Sequence, residues 1–286
     1  MFDFIAVPMG HILKFLYDTI AFQNYGIALV MFTIGVKTML LPLAIRQRRS
    51  TLVMNRLQPQ LKELQDKYKT DSEKLQAKLA QFYKENHYSP LSGCLPQLIQ
   101  LPLLFGMYQV FSRPLTYMYG FSAEIIDQLF QTIPSAYQGA EHMKDMSILG
   151  YYSSHPELLT QVSDILNGFS LPNMNLFGIN LGIIPSQVFS MHTLSFENML
   201  QFSLLLIPLL AFATSWIATK TARYSMPNIP EQTSSPNLSK YMVMISPIFS
   251  GIITITMPAG IGLYWIAGNI YQVIQDLFLK KFIKEK

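Results

Sequence analysis

Apolar residues gather into five stretches of about the length a membrane helix needs, roughly 20 residues for a hydrocarbon core about 30 Å thick. They run from Tyr25 to Ile45, Leu91 to Phe111, Met199 to Thr219, Tyr241 to Met257 and Ile261 to Leu279. Pro96 and Pro102 fall in the second, Pro208 in the third and Pro247 in the fourth. Each such proline frees a carbonyl that neighbouring helices or trapped water must satisfy. Pro258 and Gly260 stop one helix and permit a tight turn, so the last two spans are predicted to form a helical hairpin.

The polar stretches between them carry their own periodicity. Phe2 to Phe22 is apolar but interrupted by Asp3, His11, Lys14 and Asp18, which predicts an amphipathic helix lying in the membrane interface over 1–24. A signal peptide would need a basic start and a small-residue cleavage site, and neither is present. Residues 46–88 read as a cytoplasmic helical hairpin. Leu57, Leu61, Leu64 and Tyr68 form one apolar stripe, and Leu75, Leu79 and Phe82 form its match. Thr70 to Glu73 has capping-box spacing and starts the second arm, while Pro59 bends or restarts the first. Residues 112–198 form an extracytoplasmic loop with weak helical stretches at Ala123–Gln131 and Pro156–Leu166, for which irregular structure resting on the membrane is expected. A cytoplasmic loop over 220–240 and a basic tail over 281–286 complete a core that spans 25–280.

Composition narrows the class. Half of the 286 residues are hydrophobic and 13% are charged, about half the charge of an ordinary soluble domain. That excludes a conventional cytosolic enzyme. Placement of the basic residues says more than the net charge of +4. Ten lie in 46–88, while Lys220, Arg223 and Lys240 lie in the next loop on that side and Lys280, Lys281, Lys284 and Lys286 at the end. Only Lys14, Arg113 and Lys144 fall on the opposite side. The positive-inside rule therefore puts the N-terminus outside and the C-terminus in the cytoplasm. The fold class is an all-α polytopic membrane protein, with five transmembrane helices around a hydrophilic groove.

Candidate chemistry is sparse. No phosphate-binding glycine loop, nucleophile elbow or zinc helix is present. Cys94 is alone, and five scattered histidines make no metal pair, so neither cofactor nor metal nor catalytic residue is expected. Lys37 is the exception. Read as the middle of the first span, it is too deep to snorkel easily, costs about 3 kcal/mol there, and has no carboxylate within the apolar body of any span. Asp276 stands near the cytoplasmic end of the fifth. A wet groove would accommodate such a lysine. Thr33 shares its helix face, Gln97 and Gln100 share a face of the second span with Leu104, Ser246, Ser250 and Thr254 repeat along the fourth, and Trp265, Asn269 and Gln272 line the fifth. Helix glue by interhelical hydrogen bonds explains the hydroxyls but not a lysine without a carboxylate, so the groove is the favoured reading.

Four blocks carry a resemblance. They are Thr33-Ile-Gly-Val-Lys-Thr-Met-Leu-Leu-Pro42, Arg56-Leu-Gln-Pro-Gln60, Ser89-Pro-Leu-Ser-Gly-Cys-Leu-Pro-Gln-Leu-Ile-Gln-Leu-Pro102 and Met257-Pro-Ala-Gly-Ile-Gly-Leu-Tyr-Trp265. In order and spacing the chain resembles the YidC family of membrane protein insertases over roughly 22–280, in the short Gram-positive form without a large extracytoplasmic domain. No cysteine stands near the N-terminus, so a lipid anchor is not expected. The resemblance implies a non-enzymatic insertase and chaperone for newly made membrane proteins. It would work as a monomer, alone or beside the Sec translocon, without nucleotide hydrolysis, and the ribosome is a candidate partner for the hairpin or the tail. The groove arginine of the family, five residues before the proline of the first block, falls on Lys37, which keeps the charge but loses the planar fork. Thr33, Leu104 and Tyr264 or Trp265 fall on client-contact positions. The competing class is a small transporter or channel whose substrate meets Lys37. Inverted repeats would favour it, and no convincing repeat is found.

Overall fold

The computed structural model describes residues 3–86, 102–103, 105–190, 202–223 and 236–283, the side chains of 189–190, 223 and 236–244 excepted. Helix α1 (Asp3–Thr19) buries Ala6, Met9, Gly10, Leu13 and Tyr17 at helical spacing and leaves Phe4, Val7, Ile12 and Phe15 exposed. Its inner face packs closely because Gly10 has no side chain. A Cβ there would stand 2.2 Å from the carbonyl oxygen of Tyr117.

Helix α2 (Tyr25–Met39) starts at Asn24, whose side chain accepts a hydrogen bond from the Ile27 amide, a standard cap. It stops sooner than the apolar pattern predicts. The expected span to Ile45 is broken at Leu40, and α3 (Leu41–Lys67) leaves at an angle of 52°. Pro42, in the first turn of α3, has no amide to bond the Thr38 carbonyl and its ring crowds that position. The break changes the setting of Lys37, which lies in the last turn of α2 rather than mid-helix.

Helix α3 is continuous through Pro59 for 27 residues, and α4 (Ser72–Glu85) returns after Asp71, whose side chain accepts from the Lys74 amide. Leu61 is the buried anchor of this hairpin. A short helix over 105–112 (α5) leads into a folded cap, where the sequence suggests an irregular loop. The cap comprises α6 (Pro114–Tyr119), α7 (Ala123–Thr132), α8 (Lys144–Ser154), α9 (Ser163–Leu166) and a hairpin of β1 (Asn175–Leu176) and β2 (Ile179–Asn180). Leu115, Leu129, Met146, Ile148, Leu149 and Met174 are fully buried within it. Their contacts are non-local, from separate short segments, so no single stretch shows a strong period. Burial stabilises by about 1.5–3 kcal/mol for each large aliphatic side chain. Residues 156–162 form a 3-10 helix, not an α-helix.

The cap is fastened to the end of the bundle where α2 begins. The Tyr25 amide donates to the Asn173 carbonyl at 3.0 Å, and the Asn24 side chain donates to the Asn175 carbonyl at 2.7 Å. Three non-glycine residues depart from ordinary turn chemistry at two junctions. The two-residue turn of the hairpin places Phe177 and Gly178 at φ 51° and 83°, and the α1–α2 junction places Phe22 and Gln23 at φ 51° and 54°. Left-handed backbone costs a non-glycine residue about 1–2 kcal/mol.

Asp145 ties α6 to α8. Its carboxylate is buried and accepts from both the amide and the hydroxyl of Thr116, at 2.8 and 3.1 Å. Burial pushes its pKa up to about 6, against the opposing pull of those bonds and of Arg113. The folded cap therefore holds the proton more tightly than an unfolded chain, whose aspartate titrates near 3.9. The contribution is fully present below about pH 4 and lost as pH rises through about 6, worth roughly 3 kcal/mol at most. Thermal unfolding of the detergent-purified protein across pH 4–7 is expected to show this decline, and Asp145→Asn to flatten it.

The remaining helices are α10 (Leu206–Arg223), α11 (Pro236–Thr256) and α12 (Ala259–Phe282). Helices α11 and α12 follow one another through Met257 and Pro258, but each packs chiefly on α10 rather than on the other, so they are not a simple hairpin. Ala211, Ser215 and Ala218 are buried small residues along α10, which let the neighbouring backbones approach. The first amides of α12 are satisfied by the cap, with Ala259 donating to Ile183 and Gly260 to Leu181, each at 2.9 Å. Among the described residues one helix, Ser203–Ala222, is apolar enough to cross a membrane alone, with mean hydropathy 1.5, and the bent pair α2–α3 passes the same test together, as a broken span or a re-entrant loop. The fifth stretch is diluted by Asn269, Gln272, Gln275 and Asp276. Most of the second lies outside the described residues.

Candidate functional site

The last two turns of α2, α5 with the residues just before it, and the first turns of α12 enclose a cleft. It is lined by Thr33, Val36, Lys37, Leu40, Leu103, Met107 and Tyr264. Helical spacing puts Thr33, Val36, Lys37 and Leu40 on one face of α2. Tyr264 is held there by a tilted ring contact with Phe111, centroids 5.0 Å apart, while Phe111 meets Phe32 edge-on at 5.9 Å. The Tyr264 hydroxyl reaches the Met107 sulfur at 3.8 Å, a weak bond.

Among the described residues of this lining Lys37 is the only charged one. Its stem lies along Gly268, where a Cβ would meet the lysine Cε and the Thr33 methyl at 3.9 Å. A larger residue at 268 would occupy the space the lysine now uses. Among the described residues no salt bridge includes Lys37. Asp276, farther along α12, is the carboxylate whose charge acts on it, and Arg48 on α3 acts on the same carboxylate. One Asp276 oxygen accepts from Gln272 at 3.1 Å, while the other is buried without a hydrogen bond among the described residues. Nearby, the Thr38 and Tyr271 hydroxyls pair at 3.1 Å across α2 and α12.

The expected groove residues divide. Thr33, Lys37 and Tyr264 meet in the cleft, although the buried Thr33 hydroxyl donates to Leu29 of its own helix at 2.7 Å. Ser250 and Asn269 do not line it. The Ser250 hydroxyl points to Ala211 at 3.4 Å and the Asn269 amide donates to Thr214 at 3.2 Å, so both join their helices to α10. Trp265 packs against the core beside the cleft. Gln97, Gln100 and Leu104 lie outside the described residues. The lining is more apolar than a hydrophilic groove implies, with Val36, Leu40, Leu103 and Met107 around a single cation. These four, with Gly268, are what the sequence reading missed. Val36 and Leu40 were legible from their spacing to Lys37, but Met107 and Gly268 needed the packing. No group of three His, Cys, Asp or Glu among the described residues could hold a metal.

A mostly helical chain with an apolar helix able to cross a bilayer, a bent apolar helix pair and a lysine in an apolar cleft between helices fits the all-α class of integral membrane proteins. The profile of the 60Kd inner membrane protein family matches residues 15–286, and the chain belongs to that family. It is 28% identical over 280 residues to the membrane protein insertase YidC of Treponema denticola, covering 97% of this chain and 38% of that one. With the membrane protein insertase YidC of Chlorobium limicola it shares 29% over 257 residues, covering 90% and 33%. With the membrane protein insertase YidC 2 of Listeria innocua it shares 27% over 287 residues, covering 99% and 73%. The chain thus spans a third to two fifths of the first two relatives and about three quarters of the last.

Proposed function

We propose that the chain is an insertase and chaperone of the bacterial cell membrane, which receives newly made membrane proteins in the cleft between α2, α5 and α12. The observation that carries this reading is Lys37, a cation without a salt bridge among the described residues, set in an apolar cleft beside Gly268. The names of the relatives support it. A client segment rests its apolar side on Val36, Leu40, Leu103 and Met107 while an acidic residue in its short translocated tail is attracted to Lys37. The attraction offsets part of the cost of bringing that tail out of water. Downhill work comes from partitioning the client's own helix, about 0.8 kcal/mol per buried CH₂. No bond is made or broken and no nucleotide is hydrolysed.

The rest of the reading follows the sequence. Five spans surround the cleft, the N-terminus lies outside and the basic hairpin of α3 and α4 faces the cytoplasm. There the hairpin meets the ribosome or the emerging client, with or without the Sec translocon, and one chain suffices.

Rise along α2 puts Lys37 about 18 Å from Tyr25, beyond the middle of a 30 Å core and toward the cytoplasmic side. It is therefore placed to meet a tail early in its passage. A photo-reactive amino acid at Val36 or Tyr264 is expected to capture nascent single-span proteins in cells, and one at Leu209, exposed on α10, to capture far fewer. Equal capture from the three positions, or none, would remove the cleft from the client's path.

A further inference from the structure

Two phenylalanines stand where neither the turn nor the core gains from them. Phe177 occupies the first position of a two-residue hairpin turn at φ 51°, where asparagine, aspartate or glycine suits the backbone better. Its side chain is 94% exposed. Phe22 at the α1–α2 junction repeats the combination, at φ 51° and 90% exposed. Each ring adds nothing to the buried core, and each backbone is costlier than with asparagine. A gain outside the chain would account for both.

The hairpin is fixed at a known level of the bundle. Leu176 packs on Gly26 in the first turn of α2, close enough that a Cβ on that glycine would stand 2.8 Å from it. Asn24 bonds Asn175, and the Leu181 and Ile183 carbonyls receive the first amides of α12. Phe177 and Phe22 thus lie within a few residues of the points where two membrane helices begin. At this same end α1 leaves Phe4, Val7, Ile12 and Phe15 exposed. Exposed aromatics continuous with an amphipathic helix at that level fit the boundary between headgroups and acyl chains.

We propose that Phe177 and Phe22 insert into the outer leaflet and anchor the cap to lipid, with the β1–β2 hairpin serving as a membrane-dipping finger. The cap then holds the first turns of α2 and α12 at a set depth. The inference rests on membrane residence and not on what the cleft carries.

The test uses the full chain with Cys94→Ser, a nitroxide on Phe177→Cys or Phe22→Cys, and vesicles of phosphatidylcholine and phosphatidylglycerol. Labels on Glu157→Cys, exposed in the cap, and Leu209→Cys, exposed on α10, give water and lipid references. At both phenylalanine positions the ratio of oxygen to nickel-chelate accessibility is expected several-fold above that at 157 and near that at 209. A ratio matching 157 would overturn the proposal. So would an immobilised label closed to both reagents, which indicates a protein partner or a second copy. Phe177→Asn, which suits the turn, is expected to keep or raise the thermal midpoint in detergent. A marked fall would mean that the ring packs within the fold, which also overturns the anchor.

Discussion

Lys37→Glu is expected to lower the insertion of clients with acidic translocated tails by about tenfold or more, and Lys37→Arg to leave it nearly intact. The size follows from charge. Two unit charges about 5 Å apart, at an effective dielectric near 20, interact by about 3 kcal/mol. Reversing the sign removes that attraction and replaces it by repulsion, and even half of the first effect is about a tenfold change in rate. Arginine keeps the charge at the same helical position. Its planar fork would strengthen bidentate capture of a carboxylate. Lys37→Ala should fall between, losing attraction without adding repulsion. Pulse-labelled insertion of one client in cells depleted of the wild-type protein measures all three. Clients whose tails carry no Asp or Glu should respond little, which separates a charge effect from a general loss of the fold.

Gly10→Ala and Gly35→Ala are expected to move stability in opposite directions, although both glycines lie inside helices of the same end of the chain. A methyl at Gly10 would stand 2.2 Å from the carbonyl oxygen and 2.6 Å from the carbonyl carbon of Tyr117. Those are backbone atoms and cannot turn aside, so α1 must shift on α6. Overpacking of this kind costs roughly 1–3 kcal/mol, and Gly10→Leu should exceed the alanine change. The shift would also strain the bond from the Tyr117 hydroxyl to Asp3, 2.7 Å long. At Gly35 nothing among the described residues lies within 4 Å of the added carbon, and alanine is favoured over glycine in a helix by about 0.5–1 kcal/mol. Thermal unfolding in detergent should show a lower midpoint for the first and an equal or higher one for the second. A stable Gly10→Leu would mean that α1 does not seat on α6 as described.

Much of the helical architecture was legible from local rules, and its failures have local reasons too. The capping residues around Asp71 mark the start of α4, because a cap needs only neighbours in sequence. The bend at Leu40 was signalled by Pro42, yet the apolar run through Ile45 masked it, since hydropathy does not register direction. Lys37 moved with that bend from the middle of a span to the last turn of α2. The cap was the larger miss. Its core joins Leu115, Leu129, Leu149 and Met174 from four short segments, and no window shorter than the whole cap carries that pattern. Polar residues in the spans were identifiable, but their direction was not. Ser250 and Asn269 turn to α10, as helix glue would. Gly268 mattered for the space it leaves, which no property of glycine in sequence reveals.

A charge-swap in a purified system tests the central claim most directly. The protein, wild type or Lys37→Glu, is reconstituted into vesicles and given one single-span client whose translocated tail carries either aspartates or lysines. Protease protection of the tail reads insertion. If Lys37 meets the tail, wild type favours the acidic client, Lys37→Glu loses it, and Lys37→Glu recovers insertion of the basic one. If both tails insert equally into vesicles bearing either protein, the charge in the cleft does not guide clients and the account is wrong.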